Sequence, residues 1–125
     1  MNVQSEFEEF DNYLFVKVRG RWELDEIKAL ADSVRRHADQ KGQNRILVDM
    51  LEVKGRAPEM DRFRIGEHVA ALFPGQFKLA VSYPGEWINK FAENVAVNRG
   101  ARMLIVDNRD AALQWLLAKE GKGKP

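Results

Sequence analysis

Four residues that could contact a ligand follow predicted strands: Asp49, Tyr83, Pro84 and Asp107. Because parallel strands end at one edge of a sheet, we expect these residues to line a crevice for a small apolar or anionic molecule. Asp49 alone could ligate a metal or accept a proton, but no His or Cys lies near it in the sequence. A carboxylate that accepts hydrogen bonds from loop amides is the more frequent role at a strand end.

Basic residues cluster around the predicted start of the second helix: Lys54, Arg56, Arg62 and Arg64. Cationic side chains and the first amides of a helix can together bind an anion. The more frequent alternative is a charged face in contact with solvent. The sequence leaves both alternatives open.

The sequence lacks the motifs of common enzymes. It contains no P-loop, no glycine-rich dinucleotide turn, no serine elbow and no carboxylate pair at a recognisable spacing. His37 and His68 lie in separate charged helical segments, so we expect exposed side chains and no ligand set or catalytic triad. The absence of cysteine excludes disulfides, thiolate zinc sites and a cysteine nucleophile. We therefore predict a protein that is not an enzyme and needs no cofactor or metal.

Composition predicts one globular domain. The chain has 125 residues, of which 45% are hydrophobic and 31% are charged, and a net charge of +1 gives no overall field to hold nucleic acid. The acidic start MNVQSEFEEF does not resemble a signal peptide, and no stretch approaches the roughly 20 apolar residues of a membrane helix. We expect a cytoplasmic protein with a single domain over residues 1–120 and a flexible tail over residues 121–125.

Periodicity predicts a hairpin at the start of the chain. Two strands, Val3–Phe10 and Tyr13–Gly20, flank the turn pair Asp11–Asn12. An amphipathic helix follows, with Asp25 as its predicted cap and Gly42 at its end. The hairpin therefore leads directly into the first helix.

The remaining elements alternate between strands and helices. Three further strands are predicted, at Arg45–Asp49, Phe77–Tyr83 and Arg102–Val106. Helix two is predicted at Pro58–Phe73, and helix three has an apolar stripe of Trp87, Ile88, Phe91 and Val95. The last helix is capped by Asp107 or Asn108, and its inward face comprises Ala112, Trp115 and Leu116. This order predicts an α/β fold with four helices and a five-stranded mixed sheet, whose first strand is antiparallel to its neighbour. The expected core comprises Val16, Val18, Ile46, Val48, Leu79, Val81, Phe91, Trp115 and Leu116.

Apolar residues surround helix two instead of forming one stripe. The surplus apolar surface predicts either a site for a partner or ligand, or a contact covered by the loop Leu51–Ala57. The residues concerned are Met60, Phe63, Ile65, Val69, Ala70, Leu72 and Phe73.

Two motifs and the order of elements carry a family resemblance. The segment Gly20–Asp25, with the sequence GRWELD, leads from the hairpin to helix one, and Ile46–Asp49, with the sequence ILVD, ends a buried strand before helix two. Nearly the whole chain resembles the STAS family, which has the fold of the bacterial, SpoIIAA-like anti-sigma-factor antagonists. The resemblance implies that fold, a role in protein binding, and a match between Asp49 and the strand-end acid of the family.

The resemblance also implies a phosphorylated switch serine near Pro58 or Glu59, where this chain has no hydroxyl. It contains no threonine, and its serines, Ser5, Ser33 and Ser82, are predicted in other elements. Glu59 could imitate a permanent phosphate, although acids commonly favour the first turn of any helix. The chain therefore resembles a divergent, stand-alone member without the serine switch, related in shape to lipid-exchange domains.

Two functions remain open from the sequence. The leading prediction is a non-catalytic module that binds a protein partner or a second copy, forming a homodimer. Its surface, called the helix-two face, comprises Lys54, Arg56, Pro58, Glu59, Met60, Arg62 and Phe63. The alternative is a carrier that holds a small apolar or anionic molecule in the strand-end crevice.

Overall fold

A computed structural model describes residues 2–119 as one sheet covered by helices on both faces. The strands are β1 (Val3–Glu9), β2 (Leu14–Arg21), β3 (Arg45–Lys54), β4 (Lys78–Ser82) and β5 (Met103–Val106). The helices are α1 (Leu24–Lys41), α2 (Glu59–Leu72), α3 (Phe91–Asn98) and α4 (Arg109–Leu117). The predicted α/β fold with a five-stranded mixed sheet is therefore confirmed. The predicted tail lies outside the described residues.

The sheet follows the order of the chain, β1-β2-β3-β4-β5. β1 and β2 form the predicted antiparallel hairpin, and the other neighbouring pairs are parallel. β1 is an edge strand, and Glu6, Glu8 and Glu9 are exposed on it. Near the end of β2, Gly20 has a φ of 125°, and a Cβ there would lie 1.9 Å from the Asn2 carbonyl oxygen. Only glycine fits this approach of the two strands.

The structure corrects the predicted start of α1. Glu23 is the cap, because its side chain accepts a hydrogen bond from the Glu26 amide, whereas Asp25 lies inside the first turn. At the other end, Gly42 adopts the left-handed conformation with a φ of 65°, as predicted.

Strand β3 is longer than predicted and continues past Asp49 to Lys54. The register with β2 shifts at one irregularity, after which Arg19 lies opposite Glu52 and Gly20 opposite Val53. The expected loop Leu51–Ala57 is therefore mostly strand. The segment Leu51–Lys54 alternates apolar and polar residues, but Leu51 and Glu52 are exposed in succession where the strand is irregular.

Helix α3 is shorter than the predicted stripe. Gly85–Trp87 forms a separate 3₁₀ turn, and Ile88 has an extended backbone, so Trp87 and Ile88 precede the helix. Asn108 caps α4 by accepting a hydrogen bond from the Ala111 amide at 2.7 Å.

The two faces of the sheet bury separate cores. Helices α1, α2 and α3 cover one face, called the front face, and α4 covers the reverse face. Phe91 and Trp115 are only half-buried, contrary to prediction. Phe91 is the first residue of α3, and Trp115 lies in the last turn of α4. The other predicted core residues are buried: Val16, Val18, Ile46, Val48, Leu79, Val81 and Leu116.

Helix α2 packs between α1 and α3, which explains its apolar residues on several sides. Ile65 and Leu72 are half-buried, whereas Val69, Ala70 and Phe73 are buried. The neighbouring helices, rather than the expected loop, cover most of the surplus apolar surface.

Candidate functional site

A cavity of about 120 Å³ lies between the front face of the sheet and helices α1, α2 and α3. Its walls are almost entirely apolar and include Val34, Val48, Val69, Leu79, Val81 and Met103. Asn89 and Lys90, which are exposed, also line it, so the cavity approaches solvent at the loop between β4 and α3. Protein interiors normally leave few voids larger than a water molecule. The cavity is therefore the main candidate site.

Tyr83 contributes a polar group to this apolar cavity. The side chain is 6% exposed, and its hydroxyl is buried without a hydrogen-bond partner among the described residues. Burial raises the pKa of Tyr83, and the positive charge of Arg62 acts in the opposite direction. The phenol therefore stays protonated at neutral pH and can donate a hydrogen bond.

Arg62 contributes a buried positive charge to the same cavity and is also 6% exposed. Its Nε donates to the Ala57 carbonyl at 2.9 Å, and its Nη1 donates to Asn89 Oδ1 at 3.1 Å. Asn89 Oδ1 also accepts from the Phe91 amide at the start of α3. Arg62 thus joins the segment before α2 to the segment before α3, but it forms no ion pair with any carboxylate of residues 2–119.

Asp49 lies on the reverse face of the sheet, away from the cavity. Its Oδ1 accepts hydrogen bonds from Ser82 Oγ at 3.1 Å and from the Leu51 amide at 3.0 Å, and Lys17 Nζ lies 3.6 Å from Oδ2. A hydrogen bond with Glu52 raises the pKa of Lys17, which remains charged. These partners satisfy the carboxylate, but its one backbone partner is the Leu51 amide within β3, not an amide of the expected loop.

The structure does not bring the four residues of the predicted crevice together. Successive side chains of a strand point to opposite faces, so Asp49 and Tyr83 are separated by the sheet. Pro84 is half-buried before the 3₁₀ turn, and Asp107 is exposed on the next loop. The alternation of side chains along β4 and into Tyr83 could have predicted this separation, because Val81 and Tyr83 must lie on the same face of the sheet.

The residues of the predicted helix-two face do not all lie on the surface. Five of its residues are exposed: Lys54, Arg56, Pro58, Glu59 and Met60. Phe63 is half-buried, with the Arg99 guanidinium carbon 5.4 Å from its ring centroid, and Arg62 turns into the cavity. The basic cluster is divided in the same way, since Arg64 is exposed. Sequence reasoning did not distinguish the inward arginine from its neighbours.

Both histidines have structural contacts and are half-buried, not exposed as predicted. His37 stacks on Phe7 with ring centroids 3.9 Å apart, and His68 Nε2 lies 2.8 Å from Asp32 Oδ1.

Across residues 2–119, no group of three or more potential ligands is placed to hold a metal ion. Within the same residues, every helix is too short or too polar to cross a bilayer.

The hairpin, the parallel strands and the helices on both faces define an α/β domain with the architecture of anti-sigma-factor antagonists. The sequence profile of the SpoIIAA-like family matches residues 13–117, and the chain belongs to this family. The predicted STAS-like resemblance is confirmed. A search among curated proteins found no significant match.

Solved structures show the same fold at low sequence identity. An anti-sigma factor antagonist from Mycobacterium paratuberculosis is similar with a TM-score of 0.64 and 13% identity, over 93% of this chain and 95% of that chain. An uncharacterised protein with a SpoIIAA-like fold from Shewanella loihica PV-4 has a TM-score of 0.52 and 19% identity, over 92% and 94% of the two chains.

Proposed function

We propose that the protein is a non-catalytic binding module that holds a small, largely apolar molecule in the cavity beneath α2. The cavity supports this proposal, because its volume of about 120 Å³ is close to the roughly 150 Å³ of an engineered apolar cavity that binds benzene. The carrier function that the sequence gave as the alternative is thus retained in this proposal. Its site is the cavity against the front face of the sheet instead of the strand-end crevice. A cytoplasmic location remains part of the proposal and is consistent with the lack of cysteine.

Toluene is expected to raise the melting temperature of the wild-type protein in a concentration-dependent manner, because a ligand that binds only the folded state stabilises it. Val69→Phe should abolish this increase, since Val69 lies in the cavity wall and the larger ring occupies the space. Val97→Phe is the matched control, because Val97 is 44% exposed on α3. Differential scanning calorimetry measures the three responses. An equal increase in all three proteins would contradict binding in the cavity.

The exposed part of the helix-two face supports a second candidate function, binding of a protein partner or a second copy. Met60 is 58% exposed at the start of α2, the highest value among the large apolar side chains of the described residues. Residues 53–61 contain no Ser or Thr, so such binding would not be regulated by phosphorylation of a hydroxyl there. A homodimer through α2 is one form of this proposal.

Met60→Ala is expected to weaken self-association or partner binding by more than about 1 kcal/mol, roughly fivefold, if Met60 is buried at the centre of the contact. Phe63→Ala should have a smaller effect, because Arg99 already covers part of the ring. Glu59→Gln should have no effect if Glu59 is only a helix-start acid. Sedimentation velocity measures the association of each variant. Unchanged association of Met60→Ala would remove the helix-two face as the contact.

A further inference from the structure

Two polar groups in the cavity could contact a ligand: the Tyr83 hydroxyl, which has no hydrogen-bond partner among residues 2–119, and the Arg62 guanidinium, which has hydrogen bonds but no ion-pair partner there. Burying an unpaired charge is costly, and buried polar atoms in native proteins are nearly always hydrogen-bonded. Both groups line the same apolar cavity. Their coincidence there points to a ligand that supplies the missing acceptor.

Asp61, Glu59 and Glu93 have other hydrogen-bond partners and form no ion pair with Arg62. Asp61 Oδ2 accepts a hydrogen bond from Trp22 Nε1 at 2.9 Å. Glu59 Oε1 accepts from Asn89 Nδ2 at 3.3 Å. Glu93 Oε1 accepts from the Ile105 amide at 2.7 Å and lies 3.1 Å from Lys90 Nζ. The guanidinium therefore has no direct anionic partner among these neighbours.

The donors of Arg62 and Tyr83 suit an anion with oxygen acceptors. The guanidinium carries more N–H groups than its two hydrogen bonds to Ala57 and Asn89 use. Its planar arrangement of donors matches the two oxygens of a carboxylate. The protonated Tyr83 hydroxyl adds a neutral donor. The apolar part of such a ligand would contact the remaining walls of the cavity, where hydrogen-bonding groups are scarce.

We propose that the cavity binds a small monocarboxylate with an apolar body, whose carboxylate accepts hydrogen bonds from Arg62 and Tyr83. This inference rests on the proposed ligand-binding function and adds the chemical class of the ligand. The cavity volume of about 120 Å³ corresponds to an apolar body of roughly six to eight carbon atoms, by comparison with the benzene-binding cavity. Benzoate and hexanoate are suitable probes.

The test compares benzoate with toluene by isothermal titration calorimetry at neutral pH. Benzoate should bind the wild type about tenfold more tightly than toluene, and Tyr83→Phe should remove about tenfold of benzoate affinity, as expected for a hydrogen bond to a charged group. Toluene affinity should be unchanged by Tyr83→Phe. The only other tyrosine, Tyr13, belongs to the reverse-face core, so Tyr13→Phe is the matched control and should alter neither affinity.

Folding of the variants can be checked independently. Tyr83→Phe removes only an oxygen that has no partner, so the ligand-free variant should be at least as stable as the wild type. Arg62→Lys keeps the charge but loses the planar pair of donors, so it should weaken benzoate binding and leave toluene binding intact. Benzoate affinity unaffected by both variants would overturn the assignment of the carboxylate to these residues.

The remaining outcomes separate the ligand class from the broader function. Equal affinity for toluene and benzoate, or toluene binding alone, would overturn the carboxylate while the ligand-binding function stands. Binding of neither probe would overturn both proposals. A series of linear acids from butanoate to dodecanoate distinguishes a small acid from a long fatty acid. The affinity should reach a maximum near about six to eight carbons, and a continued increase to dodecanoate would overturn the small-acid assignment.

Discussion

Leu116→Ala is expected to lower the free energy of unfolding by about 2–5 kcal/mol, through lost burial and the cavity left behind. Leu116 is 0% exposed on α4 and belongs to the reverse-face core with Phe15, Leu47 and Ala80. The reverse face depends on this one helix among the described elements, so few other side chains can move into the vacated space. Urea denaturation followed by circular dichroism measures the change.

Leu51→Ala is the matched control for this substitution. Leu51 is 37% exposed, so the same change in side chain should cost clearly less than Leu116→Ala, about 1–2 kcal/mol. An unchanged denaturation midpoint for Leu116→Ala would show that α4 does not contribute to the cooperative core.

Gly66→Ala is expected to destabilise the protein by about 1–3 kcal/mol, because the added methyl group overpacks the contact between α2 and α3. A Cβ at Gly66 would lie 2.8 Å from the Ala92 carbonyl oxygen and 2.9 Å from Val95 Cβ. Alanine has the higher helix propensity, so any gain from propensity opposes this effect and is smaller than about 1 kcal/mol. Thermal and urea denaturation measure the balance.

Gly75→Ala is the control, since a Cβ there meets only the Gly100 carbonyl oxygen at 3.7 Å, an ordinary contact. It should be neutral or slightly stabilising. If Gly66→Ala were equally neutral, the two helices would be able to separate at little cost, and the wall of the cavity would be less rigid than its close packing indicates.

The predicted fold was confirmed because local signals and the order of elements agreed. The turn pair Asp11–Asn12 and the alternation around it predict the hairpin, and Gly42 marks the end of α1 correctly. The predicted end of β3, at Asp49, was wrong. Glu52 and Lys54 are exposed, and the register of this part of the strand depends on its neighbour β2. Strand pairing after a bulge is a property of two chain segments, so one segment alone does not reveal it.

The cavity could not be predicted from the sequence. Its residues come from three helices and three strands, and its existence depends on how far α2 stands from the sheet. The surplus apolar residues of α2 indicated a binding surface or a covered contact, and the structure shows that most of them meet α1 and α3. Arg62 was placed in a basic surface cluster because its charge, rather than its position on the helix, guided the interpretation.

The glutamates on β1 limit how two copies of this chain can associate. An unpaired edge strand is a template for adding a strand from a neighbour. Two β1 strands side by side would bring Glu6, Glu8 and Glu9 of each copy together, and like charges on adjacent strands repel. Arg19 and Lys41 lie 3.7 Å and 3.8 Å from Glu6 and Glu9, but these ion pairs are exposed and weak. A continuous sheet formed by pairing the β1 edges of two molecules is therefore disfavoured.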